Sequence, residues 1–176
     1  MIVRRVRQDE WRQSRDLRLD ALRDPDAAIA FLDTYERAST QSDEFWAERT
    51  ANASEGAGAA QFVAEHDGAL VGTVTVLIRE AGAIDHLDRA VDDARADVVG
   101  VFVRPSHRGD GTIDALFDAA ATWAGDVGAI VMTLDVHEEN ARARAAYLRN
   151  GFTPTGETIA GPIGPEIVMA RPVGRE

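Results

Sequence analysis

The first sixty residues combine one short strand with helical spacing of apolar side chains. Charged residues surround Trp11, Leu17 and Leu22 at intervals that place these apolar side chains on one face of a helix. Asp24-Pro25-Asp26 ends that helix, because proline lacks the backbone N–H that a continuing helix needs. The predicted elements are a strand over Ile2 to Arg7, helices over Asp9 to Arg23 and from Ser42 to about Ala53, and an undecided stretch from Ala27 to Ala38 that fits a helix carrying Phe31 and Leu32.

After residue 60 the pattern changes to strands that later alternate with helices. Asp67-Gly68 stands between two runs of strand-forming residues, which is a strong hairpin signal. Gly100 is unusual inside an apolar strand and indicates a bulge or a close backbone approach. The predicted elements are strands over Gln61 to His66, Ala69 to Arg79, Val98 to Val103, Ile130 to Val136 and Glu166 to Ala170, helices over Thr112 to Ala124 and Glu139 to Asn150, and a loop over Glu80 to Asp97 with a short helix around Arg89 to Arg95.

The order of elements in the second half predicts the fold class. A strand, a helix and a further strand in succession require a right-handed crossover and a parallel strand pair. The hairpin that precedes them is antiparallel, so the sheet is expected to be mixed. We therefore predict a single domain over residues 1–176, of the α+β class, with a mixed sheet flanked by helices.

Composition and charge exclude several classes of function. The chain has no cysteine and no lysine, which excludes disulfides, thiolate metal sites, a P-loop lysine and a Schiff-base lysine. The net charge of −11 disfavours a nucleic-acid partner, since nucleic-acid binders carry a basic excess. No apolar run approaches the roughly 18 residues of a membrane helix, and no signal peptide is visible, so we expect a cytoplasmic protein without a membrane partner.

A glycine-containing loop between the predicted strand ending at Val103 and the helix beginning at Thr112 is the first candidate site. Exposed N–H groups at a helix start, strengthened by the helix dipole, suit a phosphate or pyrophosphate. Asp114 stands where a dinucleotide fingerprint has its third glycine, and an ordinary turn into a helix is the alternative interpretation. The loop residues predicted to bind the cofactor are Arg108, Gly109, Asp110, Gly111, Thr112 and Ile113.

A second block strengthens this interpretation. Asn140 is followed seven positions later by Tyr147 and then by Gly151-Phe152. Together with Arg108, Gly111 and Ile113 of the loop, this pattern resembles the GNAT superfamily of acetyl-CoA-dependent N-acetyltransferases, over about Val3 to Met169. Ile113 departs from the family pattern, which has a small residue there, so we expect altered affinity for the cofactor.

The resemblance implies a fold and a set of roles. The sheet would be mostly antiparallel and twisted, with a central parallel pair that splays apart. Acetyl-CoA would be the co-substrate, its pantetheine arm bound by the backbone of Phe102 and Val103. Tyr147 would be the general acid that protonates the leaving thiolate, with packing in the core as the alternative. Asn140 would contact the cofactor arm, with simple helix capping as the alternative.

The general base is left open by the sequence. Asp135 resembles the placement of a carboxylate in ribosomal-protein alanine acetyltransferases and is the first candidate, with anchoring of a loop as its alternative role. Glu65, His66 and a water relay are the alternatives. The four histidines, His66, His86, His107 and His137, lack close metal-ligand spacing, so no metal site is expected.

These inferences predict an N-acetyltransferase that acts on a primary amine by direct attack through a tetrahedral intermediate. The segment from Glu80 to Asp97 holds six acids and two arginines, a net charge of −4. The resemblance implies that loops at this end of the sheet help to form the amine-binding side, so this charge favours a small cationic acceptor, with a solvated surface loop as the alternative. The alternatives are a protein N-terminal acetyltransferase of the ribosomal-protein-alanine type and a non-catalytic acyl-CoA sensor. A homodimer is a further possibility that the sequence leaves open.

Overall fold

The computed structural model describes residues 1–85 and 88–173. Its centre is a seven-stranded sheet in the order β1-β2-β3-β4-β5-β7-β6. All neighbouring pairs are antiparallel except β4 and β5, which are parallel. The strands are β1 (Ile2–Arg5), β2 (Ala59–His66), β3 (Ala69–Arg79), β4 (Arg95–Val103), β5 (Val131–His137), β6 (Thr153–Gly161) and β7 (Gly164–Pro172). The predicted α+β class with a mixed, mostly antiparallel sheet is confirmed.

Helices cover both faces of this sheet. The α-helices are α1 (Trp11–Ala21), α2 (Tyr35–Ser39), α3 (Asp43–Ser54), α4 (Thr112–Asp126) and α5 (Ala141–Arg149), and short 3₁₀ turns occupy Gln8–Glu10, Ala27–Ile29 and Pro105–His107. Ser42 begins α3 as the sequence predicts, because its hydroxyl accepts a hydrogen bond from the N–H of Phe45. None of the helices in the described ranges is long and apolar enough to cross a membrane.

Two apolar clusters lie on opposite faces of the sheet. The larger one contains Leu116, Phe117 and Phe152 and packs α4 against the strands. The second contains Leu17 of α1, Trp46 of α3 and Phe31. A ligand that contacts both α4 on one face and α1 on the other must therefore lie in an opening of the sheet.

The parallel pair splays apart after two residue pairs. β4 and β5 are in register only at Ala96–Met132 and Asp97–Thr133. Beyond this point Gly100 has φ 61°, and the pairing of β4 with β3 skips a position between Val99 and Phe102. A bulge of this kind bends a strand and increases its twist. The predicted bulge at Gly100 and the predicted splayed pair are therefore both present.

The hairpin predicted at Asp67-Gly68 joins β2 to β3. Both residues have positive φ, 50° and 77°, as a two-residue type I′ turn requires.

The observed secondary structure differs from the sequence-based expectation in three places. Residues 153–161 form the edge strand β6, which the sequence pattern did not indicate because seven of its nine positions, all but Ile159 and Gly161, are exposed polar, small or proline residues lacking apolar alternation. No helix occupies Arg89 to Arg95, since β4 already begins at Arg95 and Ala90 bridges to Ile84. Phe31 and Leu32 lie between a 3₁₀ turn and α2 instead of in a helix.

Gly72 sets how closely α4 approaches the sheet. A Cβ built on this buried β3 residue would lie 3.0 Å from Leu116 and 3.2 Å from both Thr112 and Val103. Larger side chains here would push the start of α4, and with it the glycine loop, away from β3.

We predict that Gly72→Val lowers the free energy of unfolding by about 1–3 kcal/mol, the usual cost of overpacking a core. Gly58→Val is the control, because Gly58 is exposed and a Cβ there meets nothing within 4 Å. The control is expected to change stability by less than about 0.5 kcal/mol in chemical denaturation. Equal effects of the two substitutions would contradict the close packing of α4.

Candidate active site

A cleft of about 420 Å³ opens where β4 and β5 separate. Its walls are β4 from Asp97 to Val103 and β5 from Thr133 to His137, with the start of α5 beside them. Arg18 of α1 and Arg49 of α3 reach the cleft from the sheet face opposite to α4. Past Asp97 the side of β4 that faces β5 has no strand partner, so its backbone groups border the cleft.

The glycine loop forms one end of this cleft. Gly109 and Gly111 have φ 80° and 89°, a left-handed conformation that other residues adopt at a cost. Neither glycine would place a Cβ within 4 Å of another group, so the space above the loop is open. Gly111 is the N-cap of the 15-residue helix α4, whose first N–H groups have no acceptor within the helix.

Two acidic side chains modify this helix start. Asp110 accepts hydrogen bonds from the N–H and the hydroxyl of Thr112, at 3.0 and 2.6 Å. These bonds hold the pKa of the Asp110 carboxyl below its usual value. Asp114 in the first turn accepts a hydrogen bond from the Asn150 side chain at 2.8 Å, which ties the end of α5 to the start of α4.

Arg108 is held by the protein itself. Its Nε donates to the carbonyl of Val103 at 2.9 Å, and its terminal nitrogen pairs with the buried carboxylate of Asp24 at 2.5 Å. Arg142 of α5 pairs with the same carboxylate at 3.2 Å. The Arg108 guanidinium, which the sequence analysis assigned to phosphate binding, is therefore paired with Asp24. This ion pair holds the glycine loop against the segment that follows α1.

Tyr147 and Asn140 both line the cleft from α5. The Tyr147 ring packs edge-on against Phe117 at 5.8 Å between centroids, and burial raises the pKa of its hydroxyl to about 12. The phenol is therefore protonated at neutral pH. Asn140 is buried and caps α5, its side-chain oxygen accepting from the N–H of Ala143 at 3.1 Å. The capping role is observed, and the residue also borders the cleft.

Asp135 belongs to a network of buried ion pairs. Its carboxylate accepts from Arg89 at 2.8 Å, and Arg89 also pairs with Asp85 at 2.7 Å. Arg95 joins Asp85 to Asp97 at 3.0 and 2.7 Å. Asp85 and Asp97 belong to the acidic segment from which a negative field around the acceptor was predicted. Both are internal counter-ions of arginines and do not act as free surface charges.

Glu166 is a cleft residue that the sequence analysis missed. It lies on β7 directly opposite His137 of β5, and it is buried. Burial, followed by the nearby Asp135 charge, raises the pKa of its carboxyl. Within residues 1–85 and 88–173 its Oε2 atom has no hydrogen-bond partner. A Cβ at Gly161 would lie 1.9 Å from Oε2, so the glycine on β6 is what leaves room for the carboxylate.

The other proposed bases lie elsewhere. Glu65 on β2 pairs with Arg4 at 2.6 Å, and His66 is exposed beside Asp67; neither borders the cleft. His107 and His137 line the cleft, whereas His86 falls outside the described residues. In the described part of the chain no three histidine or carboxylate side chains are grouped to hold a metal ion.

Comparisons with known proteins agree with this geometry. Residues 9–152 match the Acetyltransferase (GNAT) family. An uncharacterized N-acetyltransferase of Mycobacterium tuberculosis is 31% identical over 93 residues, which are 53% of this chain and 52% of the relative. The match thus spans about half the length of that relative.

Solved structures share the fold over nearly the whole chain. A GNAT-family acetyltransferase from Streptococcus pneumoniae superposes with a TM-score of 0.76 at 15% identity, covering 98% of this chain and 99% of the other. PaiA N-acetyltransferase from Thermoplasma acidophilum, solved in complex with coenzyme A, gives 0.72 at 15% identity, covering 97% and 98%. With its splayed strand pair, its glycine loop and a family match over most of its length, the chain belongs to the GNAT family of acetyltransferases.

Proposed function

We propose that this chain transfers the acetyl group of acetyl-CoA to a primary amine in the cleft between β4 and β5. The proposal rests on the position of Tyr147, a protonated phenol that lines the same cleft as the glycine loop at the open N-terminus of α4. A proton donor and an anion-binding helix start in one cleft are two of the supports that acetyl transfer from a CoA thioester needs.

The cofactor residues have distinct tasks in this proposal. The pyrophosphate accepts hydrogen bonds from N–H groups of residues 109–113, and the Asp110 carboxylate, which already binds Thr112, reduces the number available. The backbone of Phe102 and Val103 binds the pantetheine arm along the unpaired side of β4. The Ile113 side chain borders the cleft and packs on the core, so its bulk changes the affinity while its N–H stays available.

The chemistry balances with protein groups alone. The amine nitrogen attacks the thioester carbonyl carbon, and the resulting oxyanion is stabilised by backbone N–H groups of β4. The C–S bond then breaks, and Tyr147 donates its proton to the departing sulfur. A carboxylate removes the proton that the amine nitrogen loses.

Two carboxylates compete for the role of base. Asp135 is the candidate from the sequence, but Arg89 offsets its charge at 2.8 Å. Glu166 borders the cleft and has a raised pKa, and a carboxylate with a raised pKa is a stronger base than an ordinary one. We favour Glu166 and assign Asp135 the role of holding Arg89 in place.

The predicted cationic acceptor loses part of its support. That expectation rested on six acids between Glu80 and Asp97, of which Asp85 and Asp97 are neutralised by ion pairs. The cleft instead carries Arg18 and Arg49 on its α1 side. Acetylation of a peptide N-terminus and non-catalytic acyl-CoA binding are the other possibilities, and turnover of free amines separates them from the main proposal.

The test is amine-dependent release of CoA from acetyl-CoA, followed with a thiol reagent. The chain contains no cysteine, so the reagent reports only the product thiol. Turnover with a small amine is the expected result. Binding of acetyl-CoA without turnover of any amine or peptide would support the sensor alternative instead.

Tyr147→Phe is predicted to lower kcat by about 10²–10⁴-fold, the usual contribution of a general acid, because the proton donor is lost. The dissociation constant of acetyl-CoA should stay within about twofold, since the ring remains. Tyr35→Phe is the matched control, because Tyr35 bonds Arg23 outside the cleft. If both variants turn over like the unmodified protein, the proton comes from another group.

Glu166→Gln is predicted to remove the acidic limb of the pH profile of kcat/KM. A base must be deprotonated, so the rate rises with pH through the pKa of Glu166, which burial places above the ordinary carboxylate value of about 4.3. Asp135→Asn should keep this limb and lower the rate less. Glu157→Gln, at an exposed β6 position, is the control. A limb that survives in Glu166→Gln and vanishes in Asp135→Asn would reverse the two roles.

A further inference from the structure

We propose that the acceptor carries an oxyanionic group, a carboxylate or a phosphate, in addition to its amine, and that Arg18 and Arg49 bind it. This inference rests on the proposed acetyl transfer and adds the substrate class to it. It replaces the cationic acceptor with one whose negative group is bound on the α1 side of the cleft.

Arg18 is a cleft residue with unused hydrogen-bonding capacity. Its guanidinium lies 4.6 Å above the ring of Phe31, which fixes the plane of the group. Its Nε atom is enclosed and has no hydrogen-bond partner within the described ranges. An enclosed donor without an acceptor is costly, so a ligand that supplies one is favoured.

Arg49 brings a second positive charge to the same place. It reaches the cleft from α3. The burial of Arg18, and after it the positive charge of Arg49, lowers the pKa of Arg18 to about 10. Neither arginine has a carboxylate within 4.0 Å among the residues that the structure describes. Asp33 attracts both guanidinium groups from beyond that distance, and an anion bound between the two arginines reduces the repulsion that remains.

Three of the four other cleft arginines behave differently, and the fourth, Arg149, is an exposed residue at the end of α5. Arg89, Arg108 and Arg142 each have a carboxylate partner, at 2.8, 2.5 and 3.2 Å respectively. The positive charges of these three arginines are therefore neutralised by ion pairs within the fold. Arg18 and Arg49 are not, which distinguishes a ligand-binding pair from structural ion pairs.

The location assigns the pair to the acceptor. α1 packs on the sheet face opposite to α4. The pyrophosphate belongs to the α4 side, so the α1 side remains for the molecule that receives the acetyl group. Ile29, Phe31 and Leu32 line the cleft beside Arg18, which favours an acceptor with an apolar part between its amine and its anionic group.

The first experiment compares matched acceptors. The probes are aliphatic, aromatic and ω-amino acids, each with its carboxamide, and aminoalkyl phosphates with their alcohols. We expect the best anionic acceptor to exceed its uncharged counterpart at least tenfold in kcat/KM. The carboxylate and phosphate series identify which oxyanion the pair prefers.

Arginine variants assign the preference to these residues. Arg18→Met and Arg49→Met should each reduce kcat/KM at least tenfold for the anionic acceptor, and leave its uncharged counterpart and the affinity for acetyl-CoA within about twofold. Arg12→Met is the matched control, because Arg12 is exposed on the same helix, outside the cleft. Thermal unfolding of each variant checks that the fold is intact.

Calorimetry on the CoA-saturated protein distinguishes a failure of the anion-binding inference from a failure of the proposed acetyl transfer. Binding of the amino acid that depends on Arg18, without turnover, would support the inference and contradict acetyl transfer. Turnover that is equal for acids and amides and indifferent to both arginines would overturn the inference alone. Loss of acetyl-CoA affinity in the arginine variants would also overturn it, since the pair would then bind a phosphate of the cofactor.

Discussion

The separation of two parallel strands is the constraint on which the rest of the structure depends. β4 and β5 hold together for two residue pairs, after which the bulge at Gly100 accompanies their divergence. Parallel strands normally satisfy each other's N–H and C=O groups, and an unpaired backbone group away from water is costly. A ligand with its own amide groups, such as a pantetheine arm, satisfies that edge of β4. The defect in the sheet and the proposed binding site are therefore the same feature.

The charged side chains of the cleft form two groups, one that is ion-paired within the protein and one that is not. On the side of β5, Asp85, Asp97 and Asp135 are matched to arginines in a continuous network. Ion pairs of this kind position neighbouring groups more than they add stability. On the side of α1, Arg18 and Arg49 have no such partner in the described ranges. The net charge of the whole chain thus says little about the charge that the acceptor meets.

Local signals made the main part of the fold predictable. Asp67-Gly68, Gly100 and Ser42 each act within a few residues, and each does in the structure what the sequence indicated. The family motif located Tyr147 and the glycine loop in one cleft. β6 escaped prediction because an exposed edge strand needs no apolar alternation, and only its pairing with β7 makes it a strand.

The missed features of the site depend on contacts between distant segments. Glu166 meets the cleft through its pairing opposite His137 of β5, and Arg108 meets Asp24 from 84 residues away. Asp97 is neutralised partly by Arg79 of β3, at 3.2 Å. No sequence pattern within one element carries such information, since burial and pairing arise only when the elements pack.

Amide hydrogen exchange with and without acetyl-CoA tests the central claim most directly. If the splayed edge of β4 binds the pantetheine arm, amides of residues 98–103 and of the loop at 109–113 exchange more slowly when acetyl-CoA is bound. The exposed strand β6 should show no change. Unchanged exchange along β4 at saturating acetyl-CoA, or protection confined to another part of the chain, would contradict the account.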